Sequence, residues 1–503
     1  MPFPIKTATR ILVSLAVFGV ISVASAQPSD DTLVIGVGVD PVCMDPPFLA
    51  GLTADSLATQ IYDRLGWRSE PDMTPVLWAA ESVEQIEPLV WQVRLRDGIV
   101  FHNGAPLTAE SIKFSIERYT LPGGNRWYYN QASVDRVDVV DRLTANIITT
   151  EPFQLMHAVV ANSWYLVEPD HYANTPLEQL CSNPVGTGPY RVVEYVRDDR
   201  VVLERFDDYW GDMPDFQRVV YRIIPDAAVR LAELEVGNID LMEKLPIDSA
   251  SDVERMDGVS AIGLASGRRV YFLADRRDGP LANTQVMQAL QYAVDVETIV
   301  ETLLGSYTER MATFPNVPVN PELEPYAFDP ERARQLLSEA GYPDGFSVNL
   351  YTPIGRLTSD VQVAQAVAAY LDQVGIRADV QTLEWSVFSD RYRSGQLDGL
   401  FMVSEGPEFH DQGDLQGISV EHAGSMGNYG WDNPEWRELY REMRVEPDPD
   451  RRVELSYTLQ EIAYNDPPLL MLYNEPNLYG VNDRITYSPR VDERIYASRV
   501  FRR

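Results

Sequence analysis

The segment from Ser347 to Leu383 constrains the fold more than any other. Ser347 to Tyr351 reads as a strand, Ser359 to Val374 as a long helix stopped by Gly375, and Ala378 to Leu383 as the next strand. Strands joined through a helix lie parallel, because a parallel pair needs a crossover of about a dozen residues that packs back on the sheet. Asn283-Thr284 opens another helix, with Val286, Leu290, Ala293 and Val294 on its apolar face. Asp329-Pro330 caps a third, Glu331 to Ala340, which ends at Gly341. The expected fold class is α/β with partly parallel sheets.

The first half has a different texture. Leu33 to Val39 is a buried strand, and Trp91 to Leu95 alternates apolar and polar residues before a turn at Asp97-Gly98. Thr108 is the expected N-cap of a helix running to Tyr119, with Ser111 where a capping box has Glu or Gln. Hairpins are expected from Val134 to Val140 with Ala145 to Thr149, and from Tyr190 to Tyr195 with Val201 to Arg205; Ala227 to Val236 is an amphipathic helix.

At 503 residues the chain exceeds what one core serves, so two or three domains are expected. Its 75 acidic residues against 42 Lys and Arg give a net charge of −33, which disfavours nucleic acid and anionic lipid as partners. Lys6 and Arg10 precede an apolar run, Ile11 to Val23, that ends in Ala24-Ser25-Ala26. This is the layout of a secretory signal over residues 1–26, and the run is shorter than the ~20 residues of a spanning helix. Cleavage after Ala26 would remove two cations and no acid, taking the charge from −33 to −35. No cysteine lies near the cut, so an exported, periplasmic protein without a lipid anchor is expected.

Catalytic patterns are missing. Gly36 and Gly38 lack the third glycine of a dinucleotide site, and Gly424-Ser425-Met426-Gly427 lacks the frame of a nucleophile elbow. Of the five histidines, His410 and His422 are the closest pair in sequence. No enzymatic activity, cofactor or metal is expected. The two cysteines, Cys43 and Cys181, fit either a bridge or two buried thiols; a bridge would contribute on the order of 5 kcal/mol in the loop-entropy picture.

Several stretches together resemble the large solute-binding proteins of ABC importers, in the peptide-, nickel- and opine-binding family. The residues Trp91 to Gly104 (WQVRLRDGIVFHNG) and Asn183 to Tyr190 (NPVGTGPY) carry the likeness, followed by Tyr209-Trp210-Gly211. Ala289 to Asp295, Asp329 to Ala333 and Ala340-Gly341-Tyr342 extend it across the chain after residue 26. The resemblance implies a two-lobed flytrap fold with an extra subdomain inserted in the first lobe. Lobe I would be discontinuous, comprising 30–45, 183–265 and 474–503; the inserted subdomain would span 46–182 and lobe II 268–473. Cys43 and Cys181 then fall where the chain leaves and rejoins lobe I, which favours the bridge. It also implies a monomer that hands its ligand to ABC permease subunits at the inner membrane.

Asp411-Gln412-Gly413-Asp414 resembles the loop whose first aspartate holds the ligand ammonium in dipeptide binders, with Leu415 in place of a proline and Phe409-His410 before it. Arg356 lies between a strand and a helix, where some relatives place an arginine for the ligand carboxylate; a solvated loop arginine would have the same surroundings in sequence. Trp164, Trp385 and Trp431 are cleft-wall or core candidates. The candidate ligand-binding residues are Asp411, Arg356, Trp385, Phe409, His410, Thr53 and Trp164. From Ser394 to Trp436 the chain has no Lys or Arg but eight acids, a bias toward amine-bearing ligands if some line the cleft. Short peptides or zwitterionic amino-acid conjugates are the expected cargo. An oligosaccharide, an opine or a nickel chelate are alternatives within the class, and an exported hydrolase is the alternative outside it.

Overall fold

The computed structural model describes residues 29–70, 73–125, 132–311, 318–406 and 429–503. A ten-stranded sheet runs through the molecule. From edge to edge its strands are Ile376–Leu383, Phe346–Pro353, Leu400–Glu405, Val259–Ala274, Leu469–Asn482, Leu241–Met242, Thr32–Val37, Arg218–Ile223, Arg200–Arg205 and Tyr190–Val196. Each half holds a parallel set. Phe346–Pro353 runs parallel to both of its neighbours, and Thr32–Val37 does the same at the other end. The strand–helix–strand unit read from Ser347 is present as Phe346–Pro353, Asp360–Gln373 and Ile376–Leu383. Gly375 ends its helix at φ +88°, a backbone region that glycine adopts freely.

Val259–Ala274 and Leu469–Asn482 are the long central strands and pair antiparallel. Ala265 faces Pro476 and Arg269 faces Asn474, so Ser266, Gly267 and Arg268 loop out opposite Glu475. The buried apolar side chains separate around this spine. One core lies within residues 65–166, built on the antiparallel sheet Ala80–Glu87, Val90–Leu95, Thr144–Thr149, Val134–Val139 and the helix Ala109–Arg118. Further clusters pack within residues 270–473, and others join residues 33–62, 165–259 and 478–500.

Local chemistry sets the element ends. Thr108 and Ser111 form a reciprocal capping box, and the Asn283 and Asp329 side chains accept from Gln285 N–H and Arg332 N–H. Two of the motif segments pack on each other. A Cβ on Gly186 would come within 2.1 Å of the Ile61 carbonyl, and one on Gly188 within 2.4 Å of the Gln60 carbonyl, so only glycine fits against the end of the helix Leu52–Ile61. His102 clasps the same turn, with Nε2 3.0 Å from the Gly188 carbonyl and Nδ1 3.3 Å from Gly186 N. Burial brings its pKa down to about 4, so the neutral ring donates to the first and accepts from the second.

Cys43 and Cys181 are joined through sulfur, their Cα atoms 4.1 Å apart, and Met44 N–H donates to the Cys181 carbonyl at 3.0 Å. Beside them Asp45 and Arg118 form a buried ion pair.

Candidate functional site: a cleft across the central strands

A cavity of about 1110 Å³ opens over the break in the central ladder. Its walls come from distant parts of the chain, among them Asp55, Lys244, Arg268, Arg356, Glu475 and Glu493. Among the described residues seven carboxylates and five cationic side chains line it, a mixture suited to a zwitterion and to neither pure charge.

On one wall the charges are matched. Arg268 approaches Glu493 at two points, Nη2 to Oε2 at 3.0 Å and Nε to Oε1 at 3.2 Å. Arg490 grips Asp492 in the same way at 3.0 Å and 3.0 Å. Burial pushes the Asp492 and Glu493 carboxyls up, but the facing arginines outweigh it and hold both below their ordinary values. Arg494 reaches Asn162 Oδ1 at 3.3 Å, tying this wall to the 65–166 region.

The other wall is a loop between Phe346–Pro353 and Asp360–Gln373. Asp360 Oδ2 accepts Arg356 N–H at 2.8 Å and Leu357 N–H at 3.2 Å; Glu475 Oε1 accepts Thr358 N–H and its hydroxyl, both at 2.8 Å. Two carboxylates therefore fix the backbone on both sides of the Arg356 side chain. The guanidinium carbon lies 4.7 Å above the Trp385 ring, and among the described residues Arg356 has no ion-pair partner. Burial and the nearby Arg268 lower its pKa from the ordinary arginine value.

The sequence profile of the bacterial extracellular solute-binding proteins, family 5 Middle, matches residues 74–416. The chain belongs to this family. The dipeptide-binding protein of Escherichia coli (strain K12) is 27% identical over 514 residues, covering 94% of each chain. The heme-binding protein A of Haemophilus influenzae is 27% identical over 501 residues, covering 91% of this chain and 89% of the relative. Among solved structures, the periplasmic binding protein DppA of Helicobacter pylori, in complex with the peptide STSA, superposes with a TM-score of 0.78 at 21% identity, over 94% of this chain and 98% of that one. The fold is the two-lobed one of this solute-binding family.

The expected site residues of this family 5 protein divide into three groups. Arg356 lines the cavity, and Trp385, 43% exposed, lies beneath it. Thr53 and Trp164 do not line it. Thr53 is buried in the helix Leu52–Ile61 and its hydroxyl meets Glu243; Trp164 is fully buried in the 65–166 core, although its neighbours Ser163 and Tyr165 face the cavity. The backbone at Trp164 is left-handed, φ +59°. Trp431 is also core, its indole N–H donating to Asp466 Oδ2 at 3.0 Å. Asp411, Phe409 and His410 lie outside the described residues.

Of the acids in the base-free stretch, Asp398 accepts from Asn349 and Tyr351, Asp432 pairs with Arg437, and Glu405 lines the cavity. Glu408, Asp411, Asp414 and Glu421 are outside the described residues. Sequence reasoning missed Arg268, Glu475 and Glu493. The one signal for the pair is that Arg268-Arg269 and Asp492-Glu493 are like-charged doublets of opposite sign, and 225 positions separate Arg268 from Glu493.

Proposed function

We propose that this chain captures short peptides or related zwitterionic amino-acid conjugates and presents them to an ABC permease at the inner membrane. The observation that carries the reading is Arg356: a cation fixed by its backbone, stacked on an aromatic ring, facing a cavity and without a carboxylate among the described residues. Its planar fork suits a ligand carboxylate. Asp411 would hold the ammonium at the other end of the ligand, with Phe409 and His410 beside it. The cavity, at 1110 Å³, exceeds the roughly 300–1,000 Å³ of sites for drug-sized molecules and has room for a few residues.

A ligand held between lobes gains contacts from both and shifts the population toward the closed state, which is what a permease would recognise. The division would be lobe I (30–45, 183–265, 474–503), an inserted subdomain (46–182) and lobe II (268–473); the separate cores within 65–166 and 270–473 support the last two, while Leu57 to Tyr62 and Tyr165 to Leu180, at the ends of the insertion, pack in the core of lobe I. Residues 1–26 would be the cleaved export signal of a monomeric periplasmic protein without a lipid anchor. Native mass spectrometry of the purified protein tests the cargo. A retained peptide is the expected result, and a retained sugar, heme or nickel chelate overturns the cargo while keeping the class. Chemical turnover of the bound ligand overturns the class.

A further inference from the structure

The carboxyl group that holds the Arg356 loop is only half satisfied. Glu475 stands on Leu469–Asn482, opposite the looped Ser266 to Arg268. Its Oε1 accepts both Thr358 bonds, whereas Oε2 is buried and has no hydrogen-bond partner among the described residues. A bare oxygen on a buried carboxylate is costly, and a proton on Oε2 removes that cost without disturbing Oε1.

The charged neighbours act in both directions. Glu493 repels the ionised form, Arg268 stabilises it while itself paired to Glu493, and Arg356 interacts with Glu475 across the loop. Tyr473, buried on the same strand, interacts with both Glu475 and Asp360. Burial is the strongest influence and carries the Glu475 pKa to about 7.

We propose that Glu475 is a positioning residue for Arg356, and that it takes up a proton when Arg356 captures a ligand carboxylate. This rests on the peptide-binding reading above. An ionised Glu475 competes for the field of Arg356 and repels an incoming anion; a neutral one leaves Arg356 to the ligand and still accepts from Thr358. Ligand carboxylate, Glu475 carboxylate and one proton from the buffer become the bound carboxylate and a neutral Glu475. By linkage, each event favours the other by the same factor. Affinity should therefore fall roughly 3–10-fold as pH rises from about 6 to about 8.

The test is calorimetric titration with the dipeptide Ala-Phe near neutral pH, in buffers of different ionisation enthalpy. It compares the wild type with Glu475→Gln, which keeps an acceptor for Thr358 but cannot gain the proton. The wild type should absorb about half a proton per ligand, and Glu475→Gln none, with its affinity level across the same pH range. No uptake in the wild type, or equal uptake in both proteins, overturns the proposal. Uptake that persists in Arg356→Gln overturns the coupling through Arg356.

Failure of Ala-Phe to bind at all, together with the absence of any retained peptide, overturns the peptide reading itself. A ligand-free measurement separates that outcome from an error about Glu475. Because the folded pKa lies above that of an unfolded glutamate, its stabilising contribution is present in acid and lost as pH rises through about 7. The melting temperature of the wild type relative to Glu475→Gln should fall between pH 6 and pH 8, to either side of that pKa. A constant difference shows that Glu475 does not titrate there.

Discussion

The two walls of the cleft hold arginine in opposite situations. Arg268 is bound at two points to a carboxylate that is 8% exposed, whereas Arg356 rests on the face of Trp385 with its fork toward the cavity. The first arrangement offsets both charges against each other at the cavity wall and fastens the C-terminal segment to a central strand. The second keeps a cation available while fixing its backbone through Asp360 and Glu475. Arg268 ties two strands of the site together, whereas Arg356, on a fixed loop and without an ion-pair partner among the described residues, is the arginine proposed to bind.

The contrast has measurable consequences. Arg268→Ala strands Glu493 as a buried, uncompensated charge and should lower unfolding free energy by about 3–5 kcal/mol in denaturant titration. Arg356→Ala should cost less than about 1 kcal/mol in the same measurement. Equal losses would erase the distinction. The roles reverse for ligand: Arg356→Ala should weaken dipeptide affinity by about 2–4 kcal/mol in calorimetry, and Arg356→Lys should recover only part, since an ammonium cannot reproduce the fork. Asp411→Ala should likewise abolish binding of amine-bearing ligands with little change in melting temperature. Trp385→Ala has the smallest expected effect, about 0.5–1 kcal/mol in affinity, because a half-exposed ring supplies stacking alone.

Acid sharpens the comparison further. The Glu493 pKa is held below its ordinary value, so the stability it gains from Arg268 is present above the unfolded carboxylate range and lost as pH falls through the folded pKa. The stability gap between wild type and Arg268→Ala should therefore narrow below about pH 4. A gap that persists at low pH would show that Arg268 acts through packing and not through charge.

Much of the fold was legible because it is set by local chemistry. Asn283, Asp329 and the Thr108–Ser111 pair cap their helices where the sequence pattern places them. The parallel unit after Phe346 follows from the helix between its strands. The central strands were not legible, because each is broken in sequence where it bends. Ser266-Gly267-Arg268-Arg269 and Asn474-Glu475-Pro476 carry turn-forming and charged residues in mid-strand. Arg356, singled out through the family resemblance at a place between a strand and a helix, lines the cavity. Trp164, for which the sequence left cleft wall and core open, is core: Ser163 and Tyr165 face the cavity and the ring between them turns the other way, and which of the two faces points inward is decided only by the assembled fold. Arg268 and Glu493 escaped because their partnership exists only once distant segments meet.

The interrupted ladder between Val259–Ala274 and Leu469–Asn482 has a mechanical meaning. On each side the strands pair, with one further register shift between Val270 and Tyr271, which makes two stiff beams; between them, Ser266 to Arg268 and Glu475 leave a short stretch without rungs. Such a ribbon behaves as a leaf spring that yields in bending but resists stretching or shear. In hydrogen exchange the amides of the two beams, and Gly267 N–H held by the Val491 carbonyl at 2.8 Å, should be slow; Arg268 N–H, which donates to the nearby Ser266 hydroxyl at 3.1 Å, should be faster. A ligand that spans the cleft should slow the break most, since it arrests the bend without touching the strands on either side.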